Sequence, residues 1–176
     1  DGDAFSSSLG LFALLNQMNH DVQVISPSGH ADYIGWMPGV EKVLNYQEDK
    51  DNAENYVNEA DLVFCLDYSA LGRISDMESV VGESKALKVM IDHHQRPEDF
   101  ADFVFWNEKA AATCELIYLL IEHLGLVSMV NKDVATCLYT GILTDTGSFK
   151  FDSTSKQVHR IAGELIDTGI NPNRIN

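Results

Sequence analysis

The chain has 176 residues, of which 45% are hydrophobic, and carries a formal net charge of −15 at pH 7. This length suffices for one domain with a substantial core, and no apolar run approaches the roughly 20 residues of a membrane-spanning helix, so no membrane partner is expected. The acidic composition argues against binding to long duplex nucleic acids. The sequence has three cysteines without zinc-site spacing and no visible signal peptide. We therefore expect a cytoplasmic protein with reduced thiols.

Apolar periodicity predicts helices and strands that alternate along the chain. The predicted strands are residues 22–25, 43–46, 62–66, 87–91, 103–105 and 149–151. Helical spacing of apolar residues predicts helices or helical turns over 8–18, 30–39, 47–59, 71–81, 110–124, 133–143 and 154–168. Such alternation is typical of an α/β fold in which a parallel sheet carries helices on both faces.

Polar groups follow two of the apolar strands directly. Asp67 follows LVFCL, and Asp92, His93 and His94 follow LKVMI. Ligands of open α/β sheets gather at the carboxyl ends of the strands. Successive side chains of extended backbone alternate in direction, so one of the two imidazoles can face a metal while its neighbour faces a substrate. A solvated polar turn is the alternative interpretation of this triplet taken alone.

Three further aspartates lie near the ends of predicted helices. Asp1 and Asp3 flank a glycine on a predicted loop before the first helix, so both carboxylates can point into one cavity. Helix capping would explain one of these acids but hardly both. Asp145 lies in the segment TDTGS after another predicted helix, where a turn-forming role is the alternative.

We expect these carboxylates to meet at one edge of the sheet. Crowded carboxylates repel and raise one another's pKa unless cations lie between them. Carboxylates with a single imidazole suit Mn²⁺ or Mg²⁺ better than a thiolate-preferring ion. Two such ions about 3.5–4 Å apart activate a water for hydrolysis, and a phosphorus centre is the natural target because the ions also stabilise its charged oxygens.

Four segments together resemble a known family. The motif DGDA (1–4), the strand-terminal Asp67, IDHH (91–94) and GILTDTGSF (141–149) resemble, in order and rough spacing, the motifs of the DHH phosphoesterase superfamily. DGDA followed by serines and Leu9, together with TDTGSF, is most similar to the nanoRNase/pAp-phosphatase branch. The resemblance implies a phosphoesterase that uses two Mn²⁺ ions, replaceable by Mg²⁺ or Co²⁺. It also implies short oligoribonucleotides and nucleoside bisphosphates, above all 3′-phosphoadenosine 5′-phosphate, as substrates, and it is compatible with a homodimer.

The resemblance also implies a role for each site residue. Five residues are implied to bind the two ions: Asp1, Asp3, Asp67, His93 and Asp145. Asp67 is implied to bridge, since it joins Asp1 at the first ion and the other three ligands at the second. His94 is implied to face the substrate phosphate as a catalytic residue. Asp92 is implied to orient the imidazoles from behind.

Two features of the resembled family fall outside residues 1–176. Its members carry a His shortly before DGDA, as a further ligand of the first ion, and a smaller C-terminal domain that holds the substrate. We therefore interpret residues 1–176 as the DHH catalytic domain, truncated at its N-terminus and without the C-terminal substrate domain. The alternatives are an inorganic pyrophosphatase or a cyclic-dinucleotide phosphodiesterase of the same superfamily, or a metal-binding domain with weak turnover.

Overall fold

The computed structural model describes residues 1–175. In this range the α-helices are α1 (Gly2–Gln17), α2 (Lys50–Glu59), α3 (Glu78–Glu83), α4 (Thr113–His123), α5 (Lys132–Asp145) and α6 (Lys156–Asp167). The strands are β1 (Ile25–Ser26), β2 (Leu44–Asn45), β3 (Leu62–Leu66), β4 (Leu87–Asp92) and β5 (Phe103–Trp106). None of these helices is long and apolar enough to cross a bilayer.

The strands form two parallel sheets where the sequence predicts a single one. β1 pairs with β2, and β3, β4 and β5 pair side by side in that order. A cleft of about 860 Å³ lies between β1 and β3 and runs along α1 as far as Asp67 and His94. The carboxyl ends of β3 and β4 therefore open towards this cleft.

Helices cover both faces of the three-stranded sheet, which confirms the predicted α/β architecture. Phe64, Leu66 and Ile91 pack into a large core with α1, α4, α5 and α6. Cys65 and Met90, which alternate with them, pack into a smaller core with α2 and α3. The two-residue alternation of extended backbone divides the side chains between these cores.

The first helix begins earlier than predicted, which corrects the loop expected at Asp1 and Asp3. Asp1 is the N-cap of α1, and its carboxylate accepts a hydrogen bond from the backbone N–H of Asp3 at 3.0 Å. Small residues then let α1 lie close to α5: a Cβ on Gly2 would lie 2.9 Å from the side chain of Thr144, and one on Gly10 would lie 2.8 Å from a methyl group of Leu138. This packing holds the N-terminal turn of α1 against the C-terminal turn of α5.

Two other predicted elements differ in the structure. The strand predicted over 149–151 is wrong: residues 147–149 all have positive φ angles, and the chain turns there. The hydroxyl of Thr146 accepts a hydrogen bond from the N–H of Phe149 at 3.0 Å and closes this turn. The helix predicted over 71–81 is a 3₁₀ segment (Leu71–Met77) followed by α3, since Ser75 interrupts it with φ 51°.

Candidate active site

The Nε2 atom of His93 lies at the centre of the acidic residues. It is 3.3 Å from Asp145 Oδ2, 3.6 Å from Asp67 Oδ1 and 3.9 Å from Asp3 Oδ2. These carboxylates come from α5, from the end of β3 and from α1. The nitrogen is buried, yet it forms no hydrogen bond. A buried polar atom of this kind calls for an explanation, and a cation held between the nitrogen and the carboxylates supplies one.

The opposite ring nitrogen fixes the orientation of His93. Its Nδ1 lies 3.1 Å from the backbone carbonyl of Ala110. A carbonyl only accepts hydrogen bonds, so Nδ1 carries a proton and the Nε2 lone pair is available to a metal. Without a metal, burial lowers the pKa of His93, but Asp145, Asp67 and Asp3 outweigh this effect and raise it to about 10. The surrounding carboxylates therefore favour a positive charge at this position.

Asp3 is completely buried at the N-terminus of α4. Its two carboxylate oxygens accept hydrogen bonds from the backbone N–H groups of Thr113 (2.5 Å) and Cys114 (3.1 Å). The N-cap residue of α4 is Ala112, which has no side chain able to cap the helix. Asp3 therefore takes that role from another helix, where the dipole of α4 favours its negative charge. Burial and the charges of Asp67 and Asp145 act in the opposite direction and raise the pKa of Asp3 to about 7.

Asp67 has an uncommon backbone conformation, with φ 64°. Aspartate and asparagine tolerate this left-handed region better than other residues with a side chain. The N–H of Asp67 donates to the carbonyl of Ile91 at 3.1 Å, and its Oδ1 accepts from the hydroxyl of Thr113 at 2.9 Å. Thr113 thus contacts both Asp67 and Asp3, through its side chain and its backbone respectively.

Asp92 holds His94 at the rim of the cleft. The buried carboxylate of Asp92 accepts hydrogen bonds from His94 Nδ1 at 2.7 Å and from the His94 backbone N–H at 3.1 Å. Trp106 donates its indole N–H to the His94 carbonyl at 2.7 Å. The sequence predicts that Asp92 orients both imidazoles, whereas these contacts link it to His94, and Ala110 orients His93.

The structure gathers the site residues into two groups that share His93. One contains Asp3, His93 and Asp145, and the other contains Asp67, His93 and His94, with the potential ligand atoms of each group within 4.8 Å of one another. Asp1 belongs to neither group within the described residues, because its exposed carboxylate caps α1.

Sequence reasoning missed the groups that support these side chains. They are the carbonyl of Ala110, the amides and hydroxyl of residues 113 and 114, and Gly141. A Cβ on Gly141 would overlap Cys114 Sγ and lie 2.5 Å from Asp3 Oδ1. The available signal was a threonine in the first turn of the helix predicted over 110–124, after three alanines, since helix N-termini bind anionic groups.

Comparisons with known proteins agree with this geometry. The family described as "DHH family, N-terminal domain" matches residues 1–142. A crystal structure of an exopolyphosphatase-related protein from Bacteroides fragilis superposes with a TM-score of 0.98 at 40% identity, covering 99% of this chain and 52% of that one.

Curated relatives with functional names are similar to most of this chain, and two of them illustrate the range. The bifunctional oligoribonuclease and PAP phosphatase NrnA of Thermus thermophilus is 31% identical over 170 residues, which are 97% of this chain and 48% of that protein. The cyclic-di-AMP phosphodiesterase PdeA of Listeria monocytogenes is 27% identical over 169 residues, which are 89% of this chain and 25% of that protein. The chain thus spans about half the length of the first relative and a quarter of the second.

Proposed function

The chain belongs to the DHH family, and we propose that it forms the catalytic part of a Mn²⁺-dependent phosphoesterase. The proposed substrates are short oligoribonucleotides and 3′-phosphoadenosine 5′-phosphate. Two findings support this substrate class: the likeness to the oligoribonuclease and PAP phosphatase of Thermus thermophilus, and the segments DGDA and TDTGSF.

One observation carries the proposal, namely the buried Nε2 of His93 with three carboxylate oxygens within 4 Å and no hydrogen bond. Negative charges converge in this way at a cost unless positive charge lies among them. The donor set of oxygens and one imidazole favours Mn²⁺ or Mg²⁺. Burial raises the pKa of the adjacent Cys114 thiol well above its usual value, so this sulfur stays protonated and is a poor metal ligand.

We assign one ion to Asp3, His93 and Asp145, which form one of the two groups of potential ligands. Asp67 lies beside this group, 3.6 Å from His93 Nε2, and is assigned as the ligand shared with a second ion. Asp1 is assigned to that second ion as well. Its Oδ1 accepts the hydrogen bond from the N–H of Asp3, so Oδ2 is the oxygen assigned to the ion.

When bound, the two ions lower the pKa of a water molecule and neutralise phosphate charge. The residues of the chain prepare the rest of the site. Asp92 holds Nδ1 of His94, so that the opposite ring nitrogen of His94 is left to face the substrate phosphate. The N-terminus of α4 fixes the position of the Asp3 carboxyl group through two backbone hydrogen bonds. The cleft between β1 and β3, which Asp67 and His94 line, gives the substrate access.

The test measures Mn²⁺ binding by calorimetry, together with phosphate release from 3′-phosphoadenosine 5′-phosphate and cleavage of di- and trinucleotides. We expect Asp67→Asn to lower Mn²⁺ affinity and to abolish measurable turnover. Asp152→Asn, at an exposed acid in a turn, is the matched control and should change neither. Turnover by Asp67→Asn equal to that of the unmodified protein would refute the two-metal site.

A cyclic dinucleotide is the second candidate substrate, because the chain is also similar to a cyclic-di-AMP phosphodiesterase over 89% of its length. The same preparation decides between the two substrate classes. We expect faster hydrolysis of the linear substrates under identical Mn²⁺ concentrations. Preferential opening of cyclic di-AMP would reverse the assignment while leaving the metal site intact.

A further inference from the structure

The turn at residues 110–114, which leads into α4, contacts three of the candidate metal ligands. Its first carbonyl lies 3.1 Å from His93 Nδ1. Two successive backbone N–H groups of the turn donate to the carboxylate of Asp3, and the hydroxyl of Thr113 donates to Asp67 at 2.9 Å. A displacement of this turn would therefore move three ligands that are far apart in the sequence.

A buried carboxylate outside the candidate site holds the turn in place. Glu115 is only 3% exposed, and its Oε2 accepts a hydrogen bond from the N–H of Ala111 at 2.7 Å. Its Oε1 accepts from the side-chain amide of Gln157, on α6, at 3.1 Å. Both donors are neutral. Glu115 lies in the first turn of α4, where the helix dipole favours a negative charge, so its carboxylate links the preceding turn to α6 from a stabilised position.

Building on the metal site proposed above, we infer that Glu115 is a positioning residue, which sets the turn at 110–114 so that its donors and its carbonyl meet the metal ligands. Gln157 anchors Glu115 to α6. Glu115 itself does not touch the metal ligands: it acts through the backbone of the turn. Groups that orient metal ligands from behind typically change metal affinity or activity by about 10–100-fold when they are removed.

The chain contains a matched control on the same pair of helices. Glu122, also on α4, forms an ion pair with Arg160 of α6, with N–O distances of 2.7 and 2.9 Å. This second connection between α4 and α6 lies at the surface, away from the turn. A substitution at Glu122 therefore reports the cost of losing a link between the helices without disturbing the turn.

The experiment compares Glu115→Ala, Glu115→Asp and Glu122→Ala. Aspartate keeps the carboxylate but is one methylene shorter, so it cannot reach both Ala111 and Gln157. The aspartate variant therefore still provides a result if the alanine variant does not fold. Two readouts are used. The first, in metal-free protein at a single pH, is the NMR shift of the Thr113 amide proton, which reports its hydrogen bond to Asp3. The second is Mn²⁺ affinity by calorimetry.

We expect both Glu115 variants to shift the Thr113 amide signal and to weaken Mn²⁺ binding by tenfold or more, whereas Glu122→Ala changes neither. An unchanged amide shift and unchanged Mn²⁺ affinity in the Glu115 variants, even with a lowered melting temperature, would overturn the inference and leave the proposed function standing. If the unmodified protein does not bind Mn²⁺, the proposed function fails, and the amide shift alone then decides whether Glu115 positions the turn.

Discussion

Replacement of Gly141 by alanine tests the close packing behind the proposed metal ligands. Gly141 is buried within α5, and the added Cβ would overlap Cys114 Sγ and lie 2.5 Å from Asp3 Oδ1. Cys114 and Asp3 are both completely buried, so neither has free space to move into. The new methyl group must therefore push α5 away from the N-terminus of α4, or displace the carboxylate of Asp3.

The magnitude follows from two opposing effects. Alanine in a helix interior is favoured over glycine by about 1 kcal/mol, whereas overpacking of a tight core costs up to about 3 kcal/mol. We expect Gly141→Ala to lower the free energy of unfolding by about 2 kcal/mol, or the melting temperature by roughly 4–8 °C in a chain of this size. Displacement of Asp3 should also weaken Mn²⁺ binding at least tenfold.

Gly163 provides the control, because it lies within α6 and a Cβ there would meet no atom within 4 Å. Gly163→Ala should stabilise the protein by up to about 1 kcal/mol and leave Mn²⁺ binding unchanged. Urea and thermal denaturation measure the stability of both variants, and calorimetry measures the metal affinity. A Gly141→Ala variant that gains stability as Gly163→Ala does, and binds Mn²⁺ normally, would refute the packing argument.

Three further outcomes are expected. Asp67→Asn should lower the melting temperature less than Asp67→Ala does, since asparagine tolerates the φ of 64° at this position. Equal melting temperatures of the two variants would show that this backbone conformation imposes no constraint. Asp92→Asn should lower kcat about 10–100-fold and leave the Mn²⁺ affinity unchanged, because Asp92 holds His94. Steady-state kinetics measures kcat and calorimetry measures the affinity. A loss confined to metal binding would contradict this role of Asp92. The metal-free protein should lose stability as the pH rises from 6.5 through about 10. The pKa of His93 is raised in the folded state, so its protonated form contributes folding stability that is fully present below pH 6.5 and disappears as the proton leaves. Urea denaturation in EDTA at pH 7 and 10 measures this loss, and a stability that rises over this interval would show that the carboxylates around His93 do not retain its proton.

Local patterns in the sequence predict the framework well. The bounds of β3 follow from a short apolar run, and α4, α5 and α6 follow from helical spacing of apolar residues. Local patterns misplace the start of α1, because its cap is an aspartate that also reads as a site residue. They also fail at residues 147–149, where three consecutive left-handed conformations turn the chain away from the strand that alternating phenylalanines predict.

The sequence by itself determined which residue types stand at the ends of the strands, and with them the donor set of carboxylates and one imidazole that suits a hard divalent cation. It also determined membership of the DHH family, because the motifs occur in order along the chain. Only the tertiary structure decided which backbone groups hold these ligands. Ala110 orients His93 across 17 residues of sequence, and α4 presents its free N–H groups to Asp3 across 110 residues. Such contacts join segments that local periodicity treats separately, so they exist only once the helices and strands have packed together.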